Sequence, residues 1–241
     1  MPTKLPPITD IWVYLSGSPL LALVLTLSAY LIGLTLYERS QRNPIANPVL
    51  IAVVLVAGSI QLLEMPYAKY FEGAQFVHFL LGTATVSLAA PIYKGWATLK
   101  SRFLPLLIAL IAGGITSIAT AVGVAKALGV DDTLVRGLLA KSVTAPIAMG
   151  ISERMGASPT LTAIFAMITG VLGAILGRFV FNALGVHLWW QRGFAIGVAA
   201  HGIGTSRAFS VHPQAGAYAS LGMGIHGILG VVLIPLLASL L

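Results

Sequence analysis

The sequence predicts an all-α, polytopic integral membrane protein with about seven to eight transmembrane helices, some of them discontinuous or re-entrant. Three observations predict it. Hydrophobic residues make up 57% of the 241 residues and charged residues only 9%, whereas a soluble domain carries about a quarter charged residues. Such a chain cannot cover its surface with polar groups. Aromatic residues are only 8%, so the apolar bulk is Leu, Ile, Val and Ala, and the short alternating segments of a transmembrane barrel do not occur. Apolar runs near 20 residues, the length that spans a bilayer core, recur along the chain.

The runs, taken in order, are 18–37, 48–64, 76–93, 103–128, 133–152, 159–184, 192–209 and 214–240. A short helix at 8–16 is expected on the membrane surface. The N-terminal stretch MPTKLPPITDIW lacks the basic–apolar–cleavage layout of a secretory signal, so the first run reads as a retained helix. Linkers are short, which makes residues 1–241 one transmembrane domain. Trp12, Tyr14, Trp96, Trp189 and Trp190 fall near segment ends, where amphipathic rings sit.

Charge sets the orientation. The net charge is +7, but the basic residues stand singly between apolar runs, which fits membrane orientation and not nucleic acid. Arg39 and Arg42 follow the first run; Lys94, Lys100 and Arg102 follow the third. Alternate loops hold Glu64, Lys69 and Glu72, then Asp131 and Asp132. The basic loops are expected in the cytoplasm, with the N-terminus outside. A re-entrant seventh segment would move the C-terminus to the other side.

Several function classes are excluded or disfavoured. There is no cysteine, so disulfides, thiolate metal sites and covalent haem are excluded. No HExxH, GxSxG or GxxxxGK[ST] occurs. Gly204-Thr205-Ser206 with His226 has the composition of an intramembrane serine protease pair, but small-residue packing explains it more simply. The expected reading is no enzyme, no catalytic residue, no metal and no cofactor. Each of the seven acids, Asp10, Glu38, Glu64, Glu72, Asp131, Asp132 and Glu153, lies near a segment end. A cation exchanger relaying protons or sodium through buried carboxylates is therefore disfavoured, and a basic pore lining would instead favour an anion.

Three segments look broken. In 81–94, Gly82, Thr83, Thr85 and Ser87 precede Pro91. In 140–153, Lys141, Ser142 and Thr144 precede Pro146. In 199–209, Gly202 and Gly204 alternate with His201, Thr205, Ser206 and Arg207. Proline removes a backbone donor and glycine permits turns. The freed polar groups must line a cavity or pack within protein, and transporters point such half-helix ends at a substrate near mid-membrane. The candidate substrate-binding residues are accordingly Gly82, Thr83, Thr85, Lys141, Ser142, Thr144, Pro146, His201, Gly202, Gly204, Thr205, Ser206 and Arg207. Arg207 can grip a carboxylate through two hydrogen bonds, although a helix-end arginine reads equally well. Lys141 and Arg178 also read as snorkelling cations. His201 is the favoured proton carrier among His78, His201 and His226.

Small residues recur at helix-packing spacing: Gly173–Gly177, Gly193–Gly197, and Gly216, Ser220 and Gly224. Packing within the chain is the favoured reading over a dedicated dimer face. Ala89-Ala90-Pro91-Ile92 and Thr144-Ala145-Pro146-Ile147 resemble each other, which suggests an internal repeat as in elevator-type transporters.

Over nearly its whole length the chain resembles the LrgB/CidB family. The likeness is carried by NPVLIAVVLV (47–56), FLLGTATVSLAAPIYK (79–94), AKSVTAPIAMGISERMGASPTLTAIF (140–165), TGVLGAILG (169–177) and HGIGTSRAF (201–209). Two positions depart from the pattern: Thr83 stands where the family has proline, and His226 where it has asparagine. The resemblance implies two functions. Bacterial members are labelled antiholin-like or modulators of murein hydrolase export and autolysis, and act beside a small LrgA/CidA-type membrane partner. A similar plant plastidal protein, with LrgA-like and LrgB-like parts fused, transports glycolate and glycerate, and related bacterial pairs are linked to pyruvate uptake. The expectation is a secondary transporter of small monocarboxylate anions in the bacterial inner (cytoplasmic) membrane. It would be a homo-oligomer (dimer) in the lipid bilayer with an LrgA/CidA-type partner and no nucleic acid. The alternative is a holin-like or antiholin-like modulator of murein hydrolase export.

Overall fold

The computed structural model describes residues 19–239 apart from 88, 89, 91, 92, 94 and 95. Its helices are α1 (Pro19–Arg39), α2 (Pro48–Leu62), α3 (Tyr67–Ser87), α4 (Trp96–Ser101), α5 (Phe103–Ala127), α6 (Asp132–Leu138), α7 (Ala145–Arg154), α8 (Pro159–Ala183), α9 (Trp189–Val211) and α10 (Pro213–Ala238). No strand occurs among the described residues. Four helices, α1, α5, α8 and α10, are long and apolar enough to cross a membrane, and α2 is a shorter apolar helix. The chain is a helical polytopic membrane protein. The expected surface helix at 8–16 lies outside the described residues. Helix α3 begins well before the apolar run at 76, because Lys69 and Glu72 interrupt hydropathy but not helix propensity.

The chain divides into two compact units, Met1–Thr83 and Ala84–Leu241. In the first, α1 packs on α2 so closely that a Cβ at Gly33 would stand 2.6 Å from the Pro48 carbonyl oxygen. The Asn47 side chain caps α2 by accepting from the amides of Val49 and Leu50 at 2.9 and 3.1 Å, and Pro48 needs no amide partner at that end. Thr26 and Tyr70 join α1 to α3 by a 2.8 Å hydroxyl–hydroxyl bond.

In the second unit, the runs at 133–152 and 192–209 do not form single crossings. Gly137 on α6 and Ser152 on α7 would be about 22 Å apart in one straight helix. Instead both meet Thr162 of α8: its Oγ1 lies 3.4 Å from a Cβ built on Gly137 and donates to Ser152 Oγ at 2.8 Å. The chain has reversed between them, through residues 139–144. Asp131 caps the outer end of this hairpin, accepting from the Thr133 amide at 2.8 Å. The Thr133 hydroxyl and amide hold the Asp131 carboxyl below the usual range. A lowered carboxyl favours folding above the ordinary carboxylate range and loses that contribution as pH falls through the lowered value. Asp131→Asn is expected to flatten the acid limb of a melting-temperature profile.

The second reversal is at His201, whose backbone has φ 40° and ψ −131° within α9. Residues eight apart in a helix stand about 12 Å apart, yet a Cβ at Gly204 would lie 2.9 Å from the Ile196 carbonyl oxygen. Helix α9 is thus a hairpin with arms 189–200 and 202–211. The re-entrant reading of segment seven is the one the fold adopts.

Glycines let these pieces close up. A Cβ on Gly193 or Gly197 would collide with the backbone of Ala215 or Ala219 on α10, and one on Gly173 would meet Ala200. The GxxxG pairs are therefore used in packing α8, α9 and α10 within this unit. Ser152 and Thr162 are wholly buried and bonded to each other. Thr162→Val strands the Ser152 hydroxyl and is expected to cost about 1–3 kcal/mol, measurable as a lowered thermal midpoint in detergent.

Candidate functional site: two hairpin tips and a polar layer at mid-depth

The hairpins enter the second unit from opposite ends of α8. The outer ends of α6 and α7 lie by the start of α8, whereas both ends of α9 lie by its finish. Their tips therefore point toward each other at the middle of the long helices. Three of those helices carry a polar residue near their midpoints: Ser117 on α5, Thr169 on α8 and His226 on α10. This is the depth at which an unpaired polar group is most costly.

At the first tip the Lys141 ammonium donates to Ser117 Oγ at 2.6 Å and to Ser142 Oγ at 3.2 Å. Ser117 and Ser142 bond each other at 2.8 Å. Hydroxyl oxygens hold the cation, and all three acids of this unit, Asp131, Asp132 and Glu153, are exposed at the outer end of the same hairpin. Lys141, Ser117, Ser142 and Thr169 line a cavity of about 400 Å³ whose remaining wall is mainly apolar, including Leu172, Leu176 and Val180. Thr144 is the N-cap of α7, yet its side chain makes no capping bond. Its Oγ1 is buried without a hydrogen-bond partner among the described residues. The first amides of α7 have no intrahelical acceptor, and Pro146, at the second helical position, has no amide to satisfy.

At the second tip the ring of His201 is buried and its Nε2 lies 2.8 Å from the Ala166 carbonyl oxygen on α8. A carbonyl only accepts, so Nε2 carries the hydrogen and donates. This bond holds a non-glycine residue in a backbone conformation that costs about 1–3 kcal/mol. Gly170 makes room for it: a Cβ there would stand 2.8 Å from His201 Cε1. Gly170→Ala is expected to displace the His201 ring and loosen the tip, seen as faster amide exchange over 199–205. His226 on α10 faces Gly114 of α5, where a Cβ would stand 3.9 Å from its Cε1, and its Nδ1 is buried with no hydrogen-bond partner among the described residues.

The structure sorts the residues expected at the site. It brings Lys141, Ser142, Thr144 and Pro146 to the first tip, and His201 and Gly202 to the second. Gly204 packs against Ile196 and Ala200. Thr205 is buried and donates to Met223 Sδ at 3.7 Å. Ser206 is exposed whereas His226 is buried, which separates the residues of the protease-like pairing. Arg207 does not line the Lys141 cavity; it lines another, with Arg178 and Arg192. Helix α3 runs unbroken through Gly82, Thr83 and Thr85. Thr83 is exposed, and its hydroxyl donates to the Leu80 carbonyl at 2.8 Å. The surroundings of Gly82, Thr85 and His78, and the break expected at Pro91, lie outside the described residues. Sequence reasoning missed Ser117 and Thr169, since both lie inside long apolar runs that form unbroken helices, Thr169 beside a glycine that packs without breaking α8. The available signal was a hydroxyl at the centre of a long apolar run.

The sequence blocks that build both tips match known proteins. The LrgB-like family model matches residues 26–240. This chain belongs to the LrgB-like family. It is 32% identical to YxaC of Bacillus subtilis (strain 168) over 92% of this chain and 96% of that protein. It is 29% identical to the antiholin-like protein LrgB of Bacillus mycoides (strain KBAB4), covering 91% of this chain and 95% of that one. It is 27% identical to the holin-like protein CidB of Staphylococcus epidermidis (strain RP62A), covering 91% and 96%. No solved structure matches the chain. The LrgB-like match spans both hairpins, so the polar layer lies wholly inside the family region.

Proposed function

We propose that this LrgB-like chain is a secondary transporter of small monocarboxylates of the pyruvate, glycolate and glycerate type, and that the anion binds between the hairpin tips. One observation carries the reading: the half-buried Lys141 amine is bonded at mid-depth to the hydroxyls of Ser117 and Ser142, at the edge of a cavity. A half-buried ammonium with no carboxylate partner among the described residues is costly, and an anionic ligand would compensate it. Ser117, Ser142 and Thr169 would donate to that anion, and the half-helix end at Thr144 adds a favourable dipole. The cavity volume of about 400 Å³ falls within the usual range for small-molecule sites. A single ammonium balances one carboxylate, so a dicarboxylate would leave a second charge uncompensated. His226, with its unpartnered Nδ1, is better placed than His201 to carry a coupled proton, because His201 Nε2 is committed to Ala166.

A second reading, control of murein hydrolase release by a holin-like or antiholin-like component, is favoured over transport by the names of the relatives. It needs no defined solute site.

Uptake of radiolabelled pyruvate and glycolate into liposomes holding the purified protein separates the two, with succinate as comparison. The expected result is saturable monocarboxylate uptake with little succinate uptake. Non-selective dye leakage without saturable uptake, with or without an LrgA/CidA-type partner, would establish the second reading instead.

A further inference from the structure

The arginines that the transport reading does not use form a site of their own. Arg178, Arg192 and Arg207 line one cavity of about 310 Å³, whose other walls include Ala174, Phe181, Trp189 and Ile196. The three come from far-apart positions, and the α9 hairpin is what gathers them: in a straight helix Arg192 and Arg207 would be about 22 Å apart. Arg192 is held ready, with Nε donating to the Val186 carbonyl at 2.6 Å and Nη2 to Asn182 Oδ1 at 2.7 Å. Its guanidinium also lies over the rings of Phe181 and Trp189 at 5.9 and 5.6 Å.

The position of this cavity decides its ligand. Arg178, Arg192 and Arg207 each lie within five residues of a helix end, or about 8 Å along the axis. In a 25-residue helix such as α8, about 37 Å long, that is a few ångströms inside the edge of an apolar core of about 30 Å, from where an arginine side chain reaches the headgroup level. The acids of this unit are confined to one end, and its basic residues are weighted to the other. Arg102, stacked 4.4 Å over Trp190, joins the three arginines at this end. The acids Asp131, Asp132 and Glu153 all lie at the opposite end, alongside Lys126, Arg136 and Arg154. With Lys100 beside Arg102, five basic residues at the arginine end stand against three at the other, and by this excess of Lys and Arg the arginine end faces the cytoplasm. Basic pockets between membrane helices on that side hold lipid headgroups, and a guanidinium fork matches phosphate oxygens.

We infer that the cavity between α8 and the mouth of the α9 hairpin binds the headgroup phosphate of an anionic phospholipid from the cytoplasmic leaflet. Phosphate oxygens sit among the three guanidiniums, and the apolar walls of Phe181 and Ile196 meet the start of the acyl chains. Because the headgroup bridges α8 and both arms of α9, its binding ties the hairpin mouth to the neighbouring helix.

The test is the thermal midpoint of purified protein in neutral detergent, titrated with short-chain phosphatidylglycerol, short-chain phosphatidylcholine or inorganic phosphate. The expected result is a saturable rise with phosphatidylglycerol alone. Arg178 is exposed, so Arg178→Gln is expected to keep the lipid-free midpoint and to weaken the apparent affinity about tenfold, the loss of one charge-assisted contact. Arg154→Gln, at the opposite end, is expected to respond as the unaltered protein does. An equal rise with phosphatidylcholine would overturn the inference, as would one with inorganic phosphate alone. An unweakened response in Arg178→Gln, or equal weakening in Arg154→Gln, would also overturn it.

Discussion

Lys141→Met is expected to reduce saturable monocarboxylate uptake about 100-fold or more while leaving the protein folded. Methionine keeps most of the length of the side chain and removes the ammonium, so Ser117 and Ser142 keep their mutual bond and lose only the cation they hold. Truncating one partner of a buried, hydrogen-bonded charge pair costs about 2–5 kcal/mol, and each 1.4 kcal/mol is about tenfold. The bound anion would be left without its counter-charge at the depth where water is least available. Lys141→Arg retains charge but replaces a point cation by a broad fork, so partial activity is expected. Initial uptake rates in proteoliposomes, with thermal midpoints alongside, check both variants. Full uptake by Lys141→Met would remove Lys141 from the site and move the weight to the hydroxyls and the half-helix end at Thr144.

Gly197→Val is expected to have the largest effect on the fold. A Cβ at this position runs into the backbone of Ala219, and neither side has a flexible end that can give way. Helix α10 must move off the first arm of α9, and Gly193 against Ala215 makes the same demand one turn away. Overpacking of this kind costs about 3 kcal/mol or more. In lipid, close backbone approach is the main source of helix association, so little else compensates. The measurement is monodisperse yield after detergent extraction, with Gly150→Val as control, since nothing stands within 4 Å of a Cβ there. Equal yields for the two variants would show that the α9–α10 seam tolerates separation.

Much of the polar layer was legible as broken segments. Lys141, Ser142, Thr144 and Pro146 mark the first tip because proline and clustered hydroxyls cannot continue an apolar helix cheaply. His201 and its neighbouring glycines mark the second for the same reason. Of the two readings the sequence offers for Arg207, its place near the end of α9 agrees with the helix-end one. Proximity in sequence to His201 suggested a shared site, but six residues along a hairpin arm carry a side chain about 9 Å, from the tip toward the mouth. Ser117 and Thr169 left only a faint trace, because a hydroxyl on an apolar helix ordinarily bonds the carbonyl a turn back, as Thr120 does with Thr116 at 2.6 Å.

By itself the sequence determined the solvent and the class. With 57% hydrophobic and 9% charged residues, the chain must lie in lipid, and lipid admits only helices here, since every backbone group must be satisfied locally. Its motif blocks also determined the LrgB-like family. Only the tertiary structure decided that residues 132–154 and 189–211 are opposed hairpins and not crossings. Apolar length measures how well a segment suits lipid, and a hairpin of two half-depth arms has the same length and composition as one full helix. The reversal is decided by two local turns together with distant partners: Thr162 between the arms of the first, and Ala166, Gly170 and the close seam to α10 around the second. Those contacts arise between residues tens of positions apart, so they have no period that a linear reading detects.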